Sequence, residues 1–299
     1  MKLRDLLLLM LVCLTWAVHT IVSKIVVSGM EIPPLFYAAV RFGLVAVLTL
    51  PWLLPLPRPL GRTALVGLLM GGGSFALFFT GMKTATPSSS AVVHQLGLPM
   101  MTLLSVVMLD EIPDWKRWLG SVLTFAGALL VMWDPDGVSL SGGLIFVAAS
   151  AFVGSLASVM MKQVQGVRPL QFQAWAGLTS VLLLAVLTTS IEDGQLRQAA
   201  AAGWPFVAAV LFSAIIVSLL AHTIYYGLIL QYQANLIAPL MVLNPLMTVA
   251  LGIAITRDPF DLRMGVGTVL ALFGVLLVTI NGEQLARLRT RIRVGFRAR

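Results

Sequence analysis

The sequence predicts an all-α integral membrane protein of ten transmembrane helices, built as two inverted five-helix repeats. Three observations carry that prediction: a charge-poor composition, ten apolar runs of membrane-crossing length, and a repeat at about half the chain length. Of 299 residues 59% are apolar and 11% charged, with a mean hydropathy of +0.95, whereas a soluble domain carries about 25% charged residues. A bilayer core of about 30 Å takes roughly 20 apolar residues per helix.

The first run, 5 to 27, follows Lys2 and Arg4 as a signal peptide would. Trp16, His19 and Lys24 interrupt it and no convincing cleavage site follows, so it reads as a retained helix. The second, 35 to 55, holds Arg41, expected to snorkel outward in a structural role. The third, 63 to 82, contains a GxxxG at 67 to 71, a weak packing motif. The fourth, 87 to 109, contains VVHQLGLPMM, where Pro99 removes a backbone hydrogen bond beside His94 and Gln95. Such a break is tolerated in a bilayer only against protein or a wet cavity. Runs at 116 to 133 and 263 to 280 are glycine-rich, and that at 142 to 162 carries Ser155 and Ser158. Runs at 170 to 190 and 204 to 227 follow, the latter with His222. The ninth, 234 to 256, contains VLNPLM, with Asn244 directly before Pro245.

A shift of 146 places Gly81, Pro99, Met101, Thr102 and Pro113 on Gly227, Pro245, Met247, Thr248 and Pro259. After one inserted residue, GSVLTFAGALLV (120 to 131) falls on GTVLALFGVLLV (267 to 278). Lys24 pairs with Lys162, and Pro34-Leu35 with Pro169-Leu170. The expected units are residues 1 to 137, 138 to 282, and a basic tail at 283 to 299. Five helices per unit is an odd number, so the second copy enters the membrane from the opposite side. Inverted repeats are the usual architecture of secondary transporters, because two packings of the same halves open a midplane site to either side.

The net charge of +8 is mostly one tail, six arginines against Glu283. A tail resting on anionic lipid explains it better than nucleic acid, since no aromatic-studded basic surface accompanies it. With both termini cytoplasmic, Lys2, Arg4, Arg58, Arg62, Lys116, Arg117, Lys162, Arg168 and the tail lie inside, against Lys24, Lys83, Arg197, Arg257 and Arg263 outside. The lone Cys13 excludes an internal disulfide framework, and no metal-ligand spacing, P-loop or dinucleotide fingerprint is present, so no cofactor or metal is expected. No carboxylate falls in the middle of a run, which removes the usual acidic proton relay and leaves histidine coupling or facilitated movement.

Trp16 with Lys24, Arg41 in RFGLVAVL, Pro99 after HQLGL and the glycine-rich fifth and tenth runs together resemble the drug/metabolite transporter superfamily, in its EamA-type branch. The resemblance covers residues 5 to 281, and within the branch the chain is most similar to bacterial amino-acid exporters of the YddG type. It implies export of amino acids across the inner membrane and a central cavity surrounded by helices 1, 3, 4, 6, 8 and 9. Leu96 and Leu98 stand where some YddG-type proteins have aromatic residues.

The predicted substrate site comprises Trp16, His19, Phe75, Phe79, His94, Gln95, Leu98, Ser155, Ser158, His222, Met241 and Asn244, with Pro99 and Pro245 as hinges. Intramembrane histidines are costly enough to mark proton carriers or substrate hydrogen bonders. Phe78, Tyr225 and Tyr226 extend the apolar wall, although aromatics at helical spacing more often pack or face lipid. A phosphate or nucleotide-sugar carrier needs a midplane Lys/Arg cluster; its absence points to uncharged or zwitterionic cargo, an amino acid or related metabolite, moved by a monomer in the bilayer. The alternatives are a carrier for nucleotide sugars or phosphorylated compounds, an intramembrane enzyme built on Ser74 with a histidine, and a receptor without transport.

Overall fold

The structure, a computed structural model, describes residues 1–279 apart from 111, 135–138, 162, 163, 165, 233–236, 238 and 239. The predicted tail at 283–299, the unit boundary at 137–138, Lys162 and the side chain of Tyr226 lie outside the described residues.

Among the described residues eight helices are long and apolar enough to cross a membrane. In chain order, with two shorter or less apolar helices among them and leaving aside the short connecting helix Gln195–Ala202, they are α1 (Leu3–Gly29), α2 (Pro34–Leu53), α3 (Leu60–Gly81), α4 (Pro87–Leu109), α5 (Trp115–Met132), α6 (Gly142–Met161), α7 (Pro169–Ile191), α8 (Trp204–Tyr225), α9 (Leu243–Thr256) and α10 (Leu262–Thr279). The two that fall short of a span are α5 and α9. Lys116 and Arg117 lower the mean hydropathy of α5, and a turn at residues 241 and 242 divides the predicted ninth run, the described helix after it starting at Leu243. Between α5 and α6, β1 (Trp133–Asp134) pairs antiparallel with β2 (Ser139–Leu140), a two-residue ladder that the all-helical prediction lacks.

Helix starts follow local chemistry. Pro34, Pro87 and Pro169 occupy first-turn positions, where a missing N–H costs nothing. The Thr86 hydroxyl accepts from Ser89 N, and the Asp114 carboxylate from Arg117 N. The α2 start is capped from a distance: both Glu192 oxygens, just past α7, accept from Leu35 N and Phe36 N at 2.9 Å, while Thr188 Oγ1 donates to the same carboxylate. Glu192→Ala leaves two helix N–H groups unpaired. It is expected to lower stability by about 1–2 kcal/mol, read as an earlier unfolding midpoint in detergent.

At the end of the bundle that carries the N-terminus, Tyr232 donates to Asp5 Oδ2 at 2.6 Å, and that carboxylate raises the Tyr232 hydroxyl above its ordinary range. At the opposite end Lys24 Nζ and Ser28 Oγ donate to the carbonyls of Met82 and Lys83, while Asp258 accepts from Ser88 N.

The packing repeats itself when residues are shifted by about half the chain. α2 lies on α7 and α5 on α10; α1 packs on α9 as α6 does on α4, and α3 on α6 as α8 does on α1. The α5–α10 crossing is antiparallel and as close as backbones allow. A Cβ at Gly127 would stand 2.4 Å from Ala271 N, one at Gly267 2.8 Å from Gly127 O, and one at Gly120 2.6 Å from Gly274 O. These four glycines are the paired ones of GSVLTFAG and GTVLALFG. Backbone irregularities recur too: π-helical turns at Leu68–Gly73 in α3 and Phe212–Ala221 in α8, and left-handed residues Asp110 and Arg257 closing α4 and α9.

Candidate functional site

A cavity of about 480 Å³ opens between the helices, and every predicted site residue except Phe79 lines it. Its wall comes from six places: residues 16–20 of α1, 70–78 of α3, 91–101 of α4, 150–158 of α6, 217–225 in α8, and 241–248 at the start of α9. Two of these places are the broken turns of the sequence. His94–Leu96 adopts a 3-10 turn before Pro99, and residues 241 and 242 form a turn before Asn244 and Pro245. Pro99 and Pro245 themselves are buried behind the wall.

Each break is tied to a helix of the other half of the chain. Ser155 Oγ donates to the Gly97 carbonyl at 2.7 Å, and Asn244 Nδ2 donates to the Cys13 carbonyl at 3.1 Å. Ser155 is therefore engaged in holding the backbone of one kinked turn, and the Asn244 amide nitrogen ties the other kinked turn to the backbone of α1. Gln95 Nε2 reaches only its own helix, at Ala91 O and 3.4 Å, and His94 is exposed with Phe78 edge-on at 5.5 Å. Ser158 Oγ donates to Gly154 O within α6.

On the α1 side Trp16 stands between the rings of His222 at 5.1 Å and Tyr225 at 5.2 Å. The π-helical turn in α8 redirects two polar groups: Ser218 Oγ donates to Ser213 O, and His222 Nδ1 donates to Val217 O at 2.7 Å, each five residues back. A carbonyl only accepts, so Nδ1 of His222 carries a hydrogen.

Phe79 lies behind the wall, fully buried against Tyr37 at 4.9 Å and His19 at 6.0 Å. Arg41 corrects the snorkelling expectation. It turns inward and is 1% exposed. Its Nε and Nη2 donate to Ser218 Oγ at 3.2 and 3.0 Å, its Nη1 donates to His19 Nε2 at 3.2 Å, and its Cζ lies 4.4 Å above the Phe75 ring. Hydroxyl, imidazole and ring faces hold it where an outward turn would leave a lipid-facing cation. Among the described residues no carboxylate pairs with it.

Sequence reasoning missed Thr20, Ser74 and Ser150 in the wall, although periodicity marks Thr20 and Ser150. Thr20 follows Trp16 by one turn, and residues 150, 151, 154, 155 and 158 share one face of α6. Ser74 needed the tertiary contact, a 3.1 Å bond between Ser74 Oγ and Ser150 Oγ across α3 and α6.

The sequence profile of the EamA-like transporter family matches the chain twice, over residues 3–133 and again over 141–280. The chain belongs to the EamA-like transporter family. This EamA-like transporter is similar to a probable amino-acid metabolite efflux pump of Salmonella typhimurium strain LT2, 24% identical over 297 residues, covering 96% of this chain and 98% of that one. A protein of the same description in Escherichia coli strain K12 is 23% identical, covering 99% and 100%. An uncharacterized inner membrane transporter, YedA, of the same strain is 26% identical over 260 residues, covering 83% and 82%. A solved structure described only as the crystal structure of a protein superposes with a TM-score of 0.63 at 17% identity, covering 94% and 97% of the two chains, which speaks to fold alone. The family and these relatives make the chain a membrane transporter.

Proposed function

We propose that this EamA-like transporter is a secondary carrier that exports small amphipathic metabolites, amino acids first, across a bacterial inner membrane by alternating access. One observation carries the reading: the cavity wall is drawn in matched portions from both halves of the chain. At a shift of 138 Trp16 and Thr20 correspond to Gly154 and Ser158, and at 146 Gln95 and Leu98 correspond to Met241 and Asn244. Two related halves around one central site give two packings of similar energy, one open to each side. The double family match, the exchanged helix contacts and the mirrored π-turns support ten spans in two inverted repeats. Five spans per half and the Lys/Arg distribution favour cytoplasmic termini.

In this reading Pro99 and Pro245 are the hinges, and Trp16, His19, Phe75, His94, Gln95, Leu98, Ser158, His222 and Met241 surround the cargo, with Ser155 and Asn244 holding the kinked turns. Phe79 supports Phe75 from behind. The carrier works as a monomer, and the names of the relatives favour amino acids as cargo. The test is counterflow in proteoliposomes loaded with mixed amino acids, with and without a pH gradient. Saturable exchange is expected; folded protein that exchanges no amino acid removes the cargo assignment. Because the Gln95 amide makes one long bond within its own helix, Gln95→Ala is expected to lower exchange roughly 10-fold with the unfolding midpoint unchanged, and unchanged exchange would remove Gln95 from the site.

A further inference from the structure

Arg41 is a cation buried beside the cavity with hydroxyl, imidazole and aromatic neighbours and, among the described residues, no carboxylate. A buried charge without a counter-charge is costly, and hydroxyls with ring faces offset only part of that cost. The guanidinium has donors and no acceptor. Its Nη1 hydrogen therefore fixes His19 Nε2 as the acceptor, and the neutral ring carries its hydrogen on Nδ1. Protonating Nε2 would put an N–H against the guanidinium, which removes His19 from the proton carriers considered above. His19 lines the cavity, and its Nδ1 has no partner among the described residues.

The geometry points to a carboxylate-recognition device: His19 Nδ1–H donates to the carboxylate end of the cargo, and Arg41 acts behind it as a positioning cation. The cargo's negative charge is the counter-charge that Arg41 lacks. The bonds run in one direction, from the guanidinium to Nε2 and from Nδ1–H to the cargo, so each polarises the next. Ser218 anchors the other side of the guanidinium and is itself aimed by the π-turn of α8. The same field repels an ammonium group placed at His19 and gives an amide no charge to attract. This names the chemical class of cargo for the site proposed above and rests on that reading only for passage across the membrane.

The test uses purified full-length protein and four probes that share one apolar tail: leucine, 4-methylpentanoate, leucinamide and 3-methylbutylamine. Binding is read by thermal shift in detergent, and leucine counterflow is measured in parallel. The two carboxylates are expected to bind roughly 10- to 100-fold more tightly than the amide and the amine. Arg41→Gln is expected to lose that preference by weakening only the carboxylates, Arg41→Lys to recover part of it, and His19→Leu to behave as Arg41→Gln. A purely structural arginine would weaken all four probes together. The comparison on unaltered protein decides the matter even if Arg41→Gln does not fold. Equal binding of acid, amide and amine, no binding of either carboxylate, or an intact preference in folded Arg41→Gln each overturns the assignment. Carboxylate preference without counterflow overturns transport of that cargo and leaves the recognition standing. Counterflow with equal competition by amide and amine does the reverse.

Discussion

Gly127→Val is expected to separate α5 from α10 and to cost more than about 3 kcal/mol, enough to deplete folded protein in the membrane. The reason is geometric. The new Cβ would lie 2.4 Å from Ala271 N and 2.5 Å from Gly267 O, and both are backbone atoms that no rotamer change can move aside. In lipid the two helices gain little from the hydrophobic effect, so close backbone approach over small residues supplies much of their attraction. Losing that approach loses the pair. Gly227→Ala, in the helical stretch His222–Gln231 that continues α8, is the matched control, since among the described residues nothing lies within 4 Å of its added Cβ; higher helix propensity should hold or raise stability by up to about 1 kcal/mol. Unfolding followed by circular dichroism in detergent compares the two, and equal midpoints would mean that the α5–α10 crossing does not hold the bundle together.

Ser158→Trp is expected to stop transport in a protein that still folds. Ser158 is half-buried in the cavity wall and its hydroxyl donates only to Gly154 O of its own helix, so the substitution orphans no neighbour. An indole at that position occupies space in a cavity of about 480 Å³ that the cargo needs. Counterflow should fall by roughly 100-fold or more, the scale on which lost substrate placement acts, with stability within about 1 kcal/mol of the unaltered protein. Ser158→Ala should leave both nearly unchanged. Unimpaired exchange by folded Ser158→Trp would show that the cargo's path does not pass through this cavity.

Much of this was legible before the structure because a bilayer narrows the choices. Every backbone group in the hydrocarbon must be paired internally, so apolar run length fixes the helices, and Pro99 and Pro245 mark where pairing fails. Spacing then located the cavity: Trp16, His94, Gln95, Leu98, Ser158, His222 and Met241 were named from helix position and line it. The span tally was less secure at α5 and α9, where first-turn cations and a broken turn reduce apolar length without removing the helix.

Chain order and residue type determined that this is a helical membrane protein and where its helices break. Side-chain direction was settled only by assembly. Arg41 read as a snorkelling cation because one helix in isolation offers it nothing better than the membrane surface; in the bundle Ser218 of α8 and His19 of α1 converge on it. Asn244 read as a cargo ligand because it stands beside a proline kink, and Ser155 because its helix could turn it to the cavity; in the structure they bond the carbonyls of Cys13 and Gly97, supplied by another helix in each case. A helix's pattern limits which face a residue takes. Which group waits on the other side depends on how the helices cross, and that comes from contacts distant in sequence.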